Sequence, residues 1–229
     1  MGGDERRGAV PVAQRATGSE SVASLPSEWE DALPPEGGRH WIPKVSARKT
    51  LERYFSRIGR SVYFGSELPI YYPAERVLAP DVFAVLDVPR RERDRWVVSD
   101  EQRGVDWVLE IFLAGDRRND LECRVELCAG LGIRECFLFD RGTLRLDGFR
   151  LPTPASRAYE RISPESGGHR SLALGLELAI VGERLRFFAG DAELLDDDEL
   201  VDRLGKSVAH AERRLADALH AIELLKSSA

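Results

Sequence analysis

The chain has 229 residues, of which 31% are charged, with 33 basic against 39 acidic side chains and a formal net charge of −6. That length supports one domain of moderate size with a full hydrophobic core, plus appendages, and the acidic balance argues against a protein that coats nucleic acid non-specifically while leaving room for a local basic groove. No run approaches the ~20 apolar residues of a membrane span and the N-terminus lacks the apolar stretch of a signal peptide, so a soluble, cytoplasmic protein is expected.

Residues 1–38 are rich in Gly, Ser, Glu and Pro without apolar periodicity, the composition of a flexible arm. A helix is expected over 44–58, with Ala47, Leu51, Phe55 and Ile58 as its buried stripe and Gly59 ending it. Lys49, Arg53, Arg57 and Arg60 form a second stripe, read as a solvated face or as a track for a phosphate backbone. Short strands follow at 61–64 and 68–72, then a longer one at 77–86. A charged loop covers 90–95, with Trp96 and Trp107 on either side expected in the core.

The segment 105–113 is apolar on both faces, the pattern of a strand buried in the middle of a sheet. An amphipathic helix over 119–132 and a strand over 134–139 complete a strand–helix–strand unit, which calls for a parallel pair. Asp147-Gly148 between two apolar runs reads as a hairpin turn, and a second hairpin is expected around Val181–Glu183. Residues 196–226 read as a long helix. Leu204, Val208, Ala211, Leu215, Ala218, Ile222 and Leu225 step by four and three along it, a heptad seam suited to a homodimer or a hetero-complex. The expected organisation is an arm at 1–38, a domain at 39–192 and a helical tail at 193–229. Cys123, Cys128 and Cys136 have no CxxC spacing and read as reduced, buried thiols.

Three charges stand where apolar residues belong. Asp81 and Glu110 interrupt the strands at 77–86 and 105–113, where parity groups Asp81 with Phe83 and Val85, and Glu110 with Val108 and Phe112. Arg124 falls within the apolar arc of the 119–132 helix, one turn from Asp120. An inward Arg cannot shed its charge and needs a carboxylate or phosphate beside it. If the two strands are neighbours, the carboxylates converge on one cation, and Mg²⁺ is typically held by one or two carboxylates plus water and phosphate oxygens. Arg124 then suits a scissile phosphate. The structural reading is equally open: Arg124 bridges Glu110 and Asp81 as an ion network, or pairs with Asp120 at i, i+4. Arg117 and Arg118, just before the helix, are candidate nucleic-acid contacts.

The ordered blocks Pro80-Asp81-Val-Phe-Ala-Val-Leu, Asp106-Trp-Val-Leu-Glu110-Ile, Asp120-Leu-Glu-Cys-Arg124-Val-Glu-Leu and Gly132-Ile-Arg-Glu-Cys-Phe-Leu-Phe-Asp140 resemble the Uma-two family over about residues 40–190. This is a bacterial group of endonucleases with a restriction-endonuclease-like fold and a PD-(D/E)XK type of site. The resemblance implies an α/β fold with a mixed sheet flanked by helices, β-hairpins and a long C-terminal helix. It implies Asp81 and Glu110 as Mg (or Mn) ligands and DNA as the partner. Phe112 stands where the plain motif has Lys. In the family that Lys usually migrates into the following helix, and Arg124 occupies the migrated position. Cys128 replaces a usual aromatic, and Ala114-Gly115-Asp116 replaces a Ser/Thr-rich turn. Arg keeps the charge but cannot serve as a tunable base. Two readings follow: a metal-dependent endonuclease with Asp81, Glu110 and Arg124 in its site, or an inactive member acting as a nucleic-acid-binding or assembly module.

Overall fold

The computed structural model describes residues 38–112 and 118–227. In chain order the elements are α1 (Gly38–Arg57), β1 (Val62–Gly65), β2 (Ile70–Tyr71), β3 (Val82–Leu86), β4 (Trp96–Val97), α2 (Val98–Glu101), β5 (Trp107–Phe112) and α3 (Arg118–Gly130). Then come β6 (Glu135–Asp140), β7 (Arg145–Arg150), β8 (Glu160–Ile162), β9 (Gly168–Ser171), β10 (Leu176–Val181), β11 (Arg184–Ala189), β12 (Ala192–Glu193) and α4 (Asp197–Ser227). This is a mixed α/β fold, as expected. The expected flexible arm lies outside the described residues. No helix among the described residues is long and apolar enough to cross a membrane.

The main sheet has the order β1-β3-β5-β6-β7-β8. Its centre is the parallel pair β5–β6, joined by the α3 crossover, and every other pairing in it is antiparallel. A second antiparallel sheet runs β12-β11-β10-β9. Strand alternation divides the core. Val82, Ala84, Leu86, Trp107, Leu109 and Ile111 face Ala47, Leu51 and Phe55 of α1 and the second sheet's Leu176, Leu178 and Phe187. Phe83, Val85 and Val108 face the other way, toward Cys128 of α3, Trp96 and Cys136. The period of two in β3 and β5 meets the 3.6-residue period of α1 on one face and of α3 on the other.

Some expectations change. The helix expected at 44–58 begins at Gly38, with Pro43 inside it. Pro removes one amide from the helical ladder, so the local signal starts only after it. Ile58, placed on the buried stripe, lies past the helix end and is exposed. The strand expected over 77–86 keeps only Val82–Leu86, while Leu78 makes an isolated bridge to Ile70. Cys123 is exposed, although Cys128 and Cys136 are buried, and all three thiols are free.

The largest correction concerns Asp147-Gly148, which is no hairpin turn. β7 runs straight through both residues, paired with β6 on one side and β8 on the other. The turn lies earlier, where Asp140 Oδ1 accepts the N–H groups of Gly142 and Thr143. Gly148 is required by packing: a Cβ there would stand 2.9 Å from Phe137 Cε1 and 3.3 Å from Ile162 Cβ. The second hairpin forms as expected, with Gly182 at φ +61° between the paired residues Val181 and Arg184.

Candidate functional site

β3 and β5 are antiparallel neighbours with Val82 opposite Leu109, so Asp81, one residue before β3, comes level with Glu110. Both acids are buried, Glu110 at 3% exposure and Asp81 at 9%. Asp81 Oδ2 accepts the Ile111 N–H at 2.6 Å, which ties the loop before β3 to the strand that carries Glu110. From α3, Arg124 Nη1 reaches Glu110 Oε2 at 3.0 Å. The structure thus brings together the three residues singled out by sequence. Arg124 is not sunk in the apolar stripe, however: 43% of its side chain is exposed, and its guanidinium closes over Glu110 from the rim.

Burial pushes the Glu110 carboxyl up to about 7. The Arg124 charge opposes that shift, the neighbouring Asp81 charge adds to it, and hydrogen bonds from Arg124 and the Asp81 backbone oppose it. Arg124 is in turn held more firmly in its charged form, above all by Glu110. Glu110 Oε1 is buried and has no hydrogen-bond partner among the described residues.

A fourth charge escaped sequence reasoning. Lys44 of α1 is 1% exposed, and its Nζ lies 2.8 Å from Asp81 Oδ1 and 2.6 Å from Glu67 Oε1. The signal was present, because Lys44 precedes Ala47, Leu51 and Phe55 at steps of three, four and four on the buried stripe. Glu67 sits at φ +53° in the turn after β1. Two bonds clamp that turn to the segment bearing Asp81: the Glu67 N–H to Pro80 O at 2.9 Å, and Ser66 Oγ to Asp81 O at 2.6 Å.

The other candidates are placed less informatively. Arg117 lies outside the described residues, and so do the side chains of Arg118 and Asp120. Of the second stripe, Lys49 lies 3.9 Å from Asp197 at the start of α4, which Arg53 also pairs with, and Arg60, past the end of α1, lies 3.5 Å from Asp87. That stripe ties elements together as much as it faces solvent. A groove of ≈ 860 Å³ runs between α1 and the loop after β3, past Arg48, Arg53, Arg90 and Arg93. Asp81 and Glu110 are not among its lining residues, and Arg48 and Arg93 are already paired with Glu52 and Glu101. The chemistry therefore points to the carboxylates rather than to this groove.

Two further buried acids are structural. Asp106 Oδ2 accepts the Leu86 N–H at 2.8 Å, and Arg134 lies 3.1 Å from Asp106 Oδ1. Glu135 of β6 takes Arg150 at 2.8 Å, the Leu172 N–H at 2.8 Å and the Ser171 hydroxyl, joining the main sheet to the second one.

Among the described residues no group of three or more His, Cys, Asp and Glu side chains gathers as a metal cage. The Asp81–Glu110 pair still fits a hard divalent ion, because such ions use few carboxylates and keep water or phosphate oxygens as their other ligands. Glu110 Oε1 is the kind of unsatisfied buried acceptor a cation would take up.

No curated protein matches the chain. One solved structure that the chain matches is a protein from Anabaena variabilis ATCC 29413, titled "a putative nuclease belonging to DUF820", at 14% identity. The match has a TM-score of 0.48 and covers 62% of this chain and 76% of that one. Residues 24–181 match the family Uma2, described as "Putative restriction endonuclease". That span takes in α1, the main sheet and all four charges at the site, and the chain belongs to the Uma2 family of restriction-endonuclease-like proteins.

Proposed function

We propose that the chain is a metal-dependent endonuclease that hydrolyses phosphodiester bonds in DNA. One observation carries the reading: a buried carboxylate, Glu110, keeps an unpartnered oxygen on a strand that Asp81 is hydrogen-bonded to. Asp81 and Glu110 would hold Mg²⁺ or Mn²⁺. When bound, such an ion lowers the pKa of its water and offsets charge developing on the phosphodiester. Arg124, half exposed at the rim, would exchange Glu110 for a phosphate oxygen and so orient the substrate. Lys44 fixes the Asp81 carboxylate and balances its charge from the other side. Arg117 and Arg118, which stand in the sequence just ahead of the Arg124 segment, are assigned to the DNA backbone. A cytoplasmic location belongs to the same proposal.

A second reading has a specific observation behind it. Arg124 bonds Glu110 directly at 3.0 Å, as a purely structural ion pair would. An inactive binding or assembly module would keep that pair closed. Supercoiled plasmid incubated with Mg²⁺ or Mn²⁺ separates the two. Nicking that disappears in Asp81→Ala and in Glu110→Ala supports the enzyme. Intact plasmid with the wild-type protein, or nicking that persists in both variants, rejects it.

A further inference from the structure

We propose that α4 pairs with α4 of a second copy of this chain, as a parallel two-stranded coiled coil that holds both domains at one end. The helix runs from Asp197 to Ser227 with no buried residue, so it does not fold back on its own domain. Its apolar residues stand in solvent, with Val201 69%, Leu204 68%, Leu215 62% and Leu225 73% exposed. Among the described residues, its ion pairs with the rest of the fold gather at its N-terminal end. Asp196 and Glu199 cap it reciprocally: Asp196 Oδ1 accepts the Glu199 N–H and Glu199 Oε2 accepts the Asp196 N–H, both at 3.0 Å. Arg53 binds Asp197, and Arg186 binds Glu199.

The heptad assigns Val201, Val208, Leu215 and Ile222 to position a, and Leu204, Ala211, Ala218 and Leu225 to position d. Three of the four a residues are β-branched, which favours two strands over three or four. From Val201 to Leu225 the seam is ~36 Å long, and two such seams together bury on the order of 1,600 Å², the size of a specific interface. The Ala211 and Ala218 layers are thin, and Leu219 at the adjoining e position lies beside them to widen the apolar strip.

Charge selects both the occupant and the direction. In a parallel pair the flanking g and e′ residues meet as Ser207 with Glu212 and as Arg214 with Leu219, so no like charges oppose and the helix is compatible with itself. In the antiparallel register of full overlap, the two-fold axis falls near Arg213. Arg214 then faces Arg214 on one flank, and Glu212 faces Glu212 on the other. Since each helix is rooted at Asp197, parallel pairing sets the two domains side by side. This pairing does not depend on the nuclease reading.

The test uses the full chain. Sedimentation at micromolar concentration should give twice the 25.6 kDa chain mass, and Leu215→Asp should give the monomer with an unchanged melting transition of the domain. In a Cys123→Ser background, Leu225→Cys should cross-link to itself on mild oxidation. A monomeric wild-type protein, or a Leu215→Asp variant that stays dimeric, overturns the proposal. So does a Val201→Cys and Leu225→Cys mixture that cross-links 201 to 225 while Leu225→Cys alone does not.

Discussion

The Asp81 carboxylate accepts the backbone N–H of Ile111 at 2.6 Å. That single bond fixes the site. It spans from the residue before β3 to the residue after Glu110, so the two acids cannot drift apart without losing a buried hydrogen bond. With Lys44 on Asp81 and Arg124 on Glu110, each acid has its own counter-charge, supplied by a helix on each side. Holding like charges together in this way costs stability in the absence of a cation and prepares a place for one.

That cost gives a pH dependence with a defined sign. Glu110 is raised from 4.5 to about 7 in the folded chain, so between those values the folded state holds a proton that the unfolded chain has released. Its contribution to stability is present at low pH and is lost as pH rises toward about 7. Glu110→Gln keeps the shape and cannot ionise, so the stability of the variant relative to wild type should climb across that window and level off above it. Urea midpoints of both proteins from acid to mildly alkaline pH measure the difference. A flat difference would mean that Glu110 is not desolvated. At alkaline pH, Mn²⁺ should raise the wild-type midpoint and leave that of Glu110→Gln where it was.

Lys44 is the buried member of its ion pairs, and Glu67 is half exposed, so the Asp81 bond should carry most of the coupling. Lys44→Met is expected to cost about 3 kcal/mol, because it leaves a buried carboxylate without its cation. Asp81→Asn in the same chain should recover part of that loss, giving a coupling energy of ~1–3 kcal/mol in a double-mutant cycle. Additive losses from the two substitutions would show that Lys44 does not act through Asp81.

How much of this was legible in the sequence depends on the kind of signal. Charges inside apolar strands were readable at Asp81 and Glu110, because strand parity leaves a buried acid no alternative but a partner. Arg124 was readable from helical period, yet period alone could not say that a long side chain can start at the rim and reach inward. Lys44 obeyed the same rule on α1 and was passed over, since Lys49, Arg53, Arg57 and Arg60 made that helix look uniformly basic outside its stripe. The Asp147-Gly148 error has a different origin. A dipeptide reports what the backbone is able to do, and only the Phe137 ring, brought in by sheet pairing, reveals that Gly148 was needed for space. The second sheet's role in covering the core depends on contacts such as Glu135 with Ser171, 36 residues apart, which no local pattern encodes.

Glu135 supplies a control that separates stability from site chemistry. It is 1% exposed and joins Arg150, Leu172 and Ser171. Glu135→Ala leaves Arg150 and a buried hydroxyl without their acceptor, and should destabilise by ~3–5 kcal/mol. It lies outside the Asp81–Glu110 cluster, so Mn²⁺ should still raise the variant's melting temperature by the same increment as in wild type. A lost increment in a folded Glu135→Ala protein would move the cation away from Asp81 and Glu110.

Gly148 tests the sheet itself. Its φ is not in the left-handed region, so an L side chain there is penalised by space alone. Gly148→Ala would press a methyl against Phe137, fully buried in the core, and against Ile162 of β8. Overpacking of this kind costs about 1–3 kcal/mol. If the penalty is steric, Phe137→Leu combined with Gly148→Ala should be less destabilised than the sum of the single variants, because the shorter side chain vacates the position the methyl needs. At a hairpin turn requiring positive φ, by contrast, the cost would lie in the backbone and Phe137→Leu would add its own loss in full. Chemical denaturation of the two single variants and the double variant decides between a strand at 145–150 and a turn.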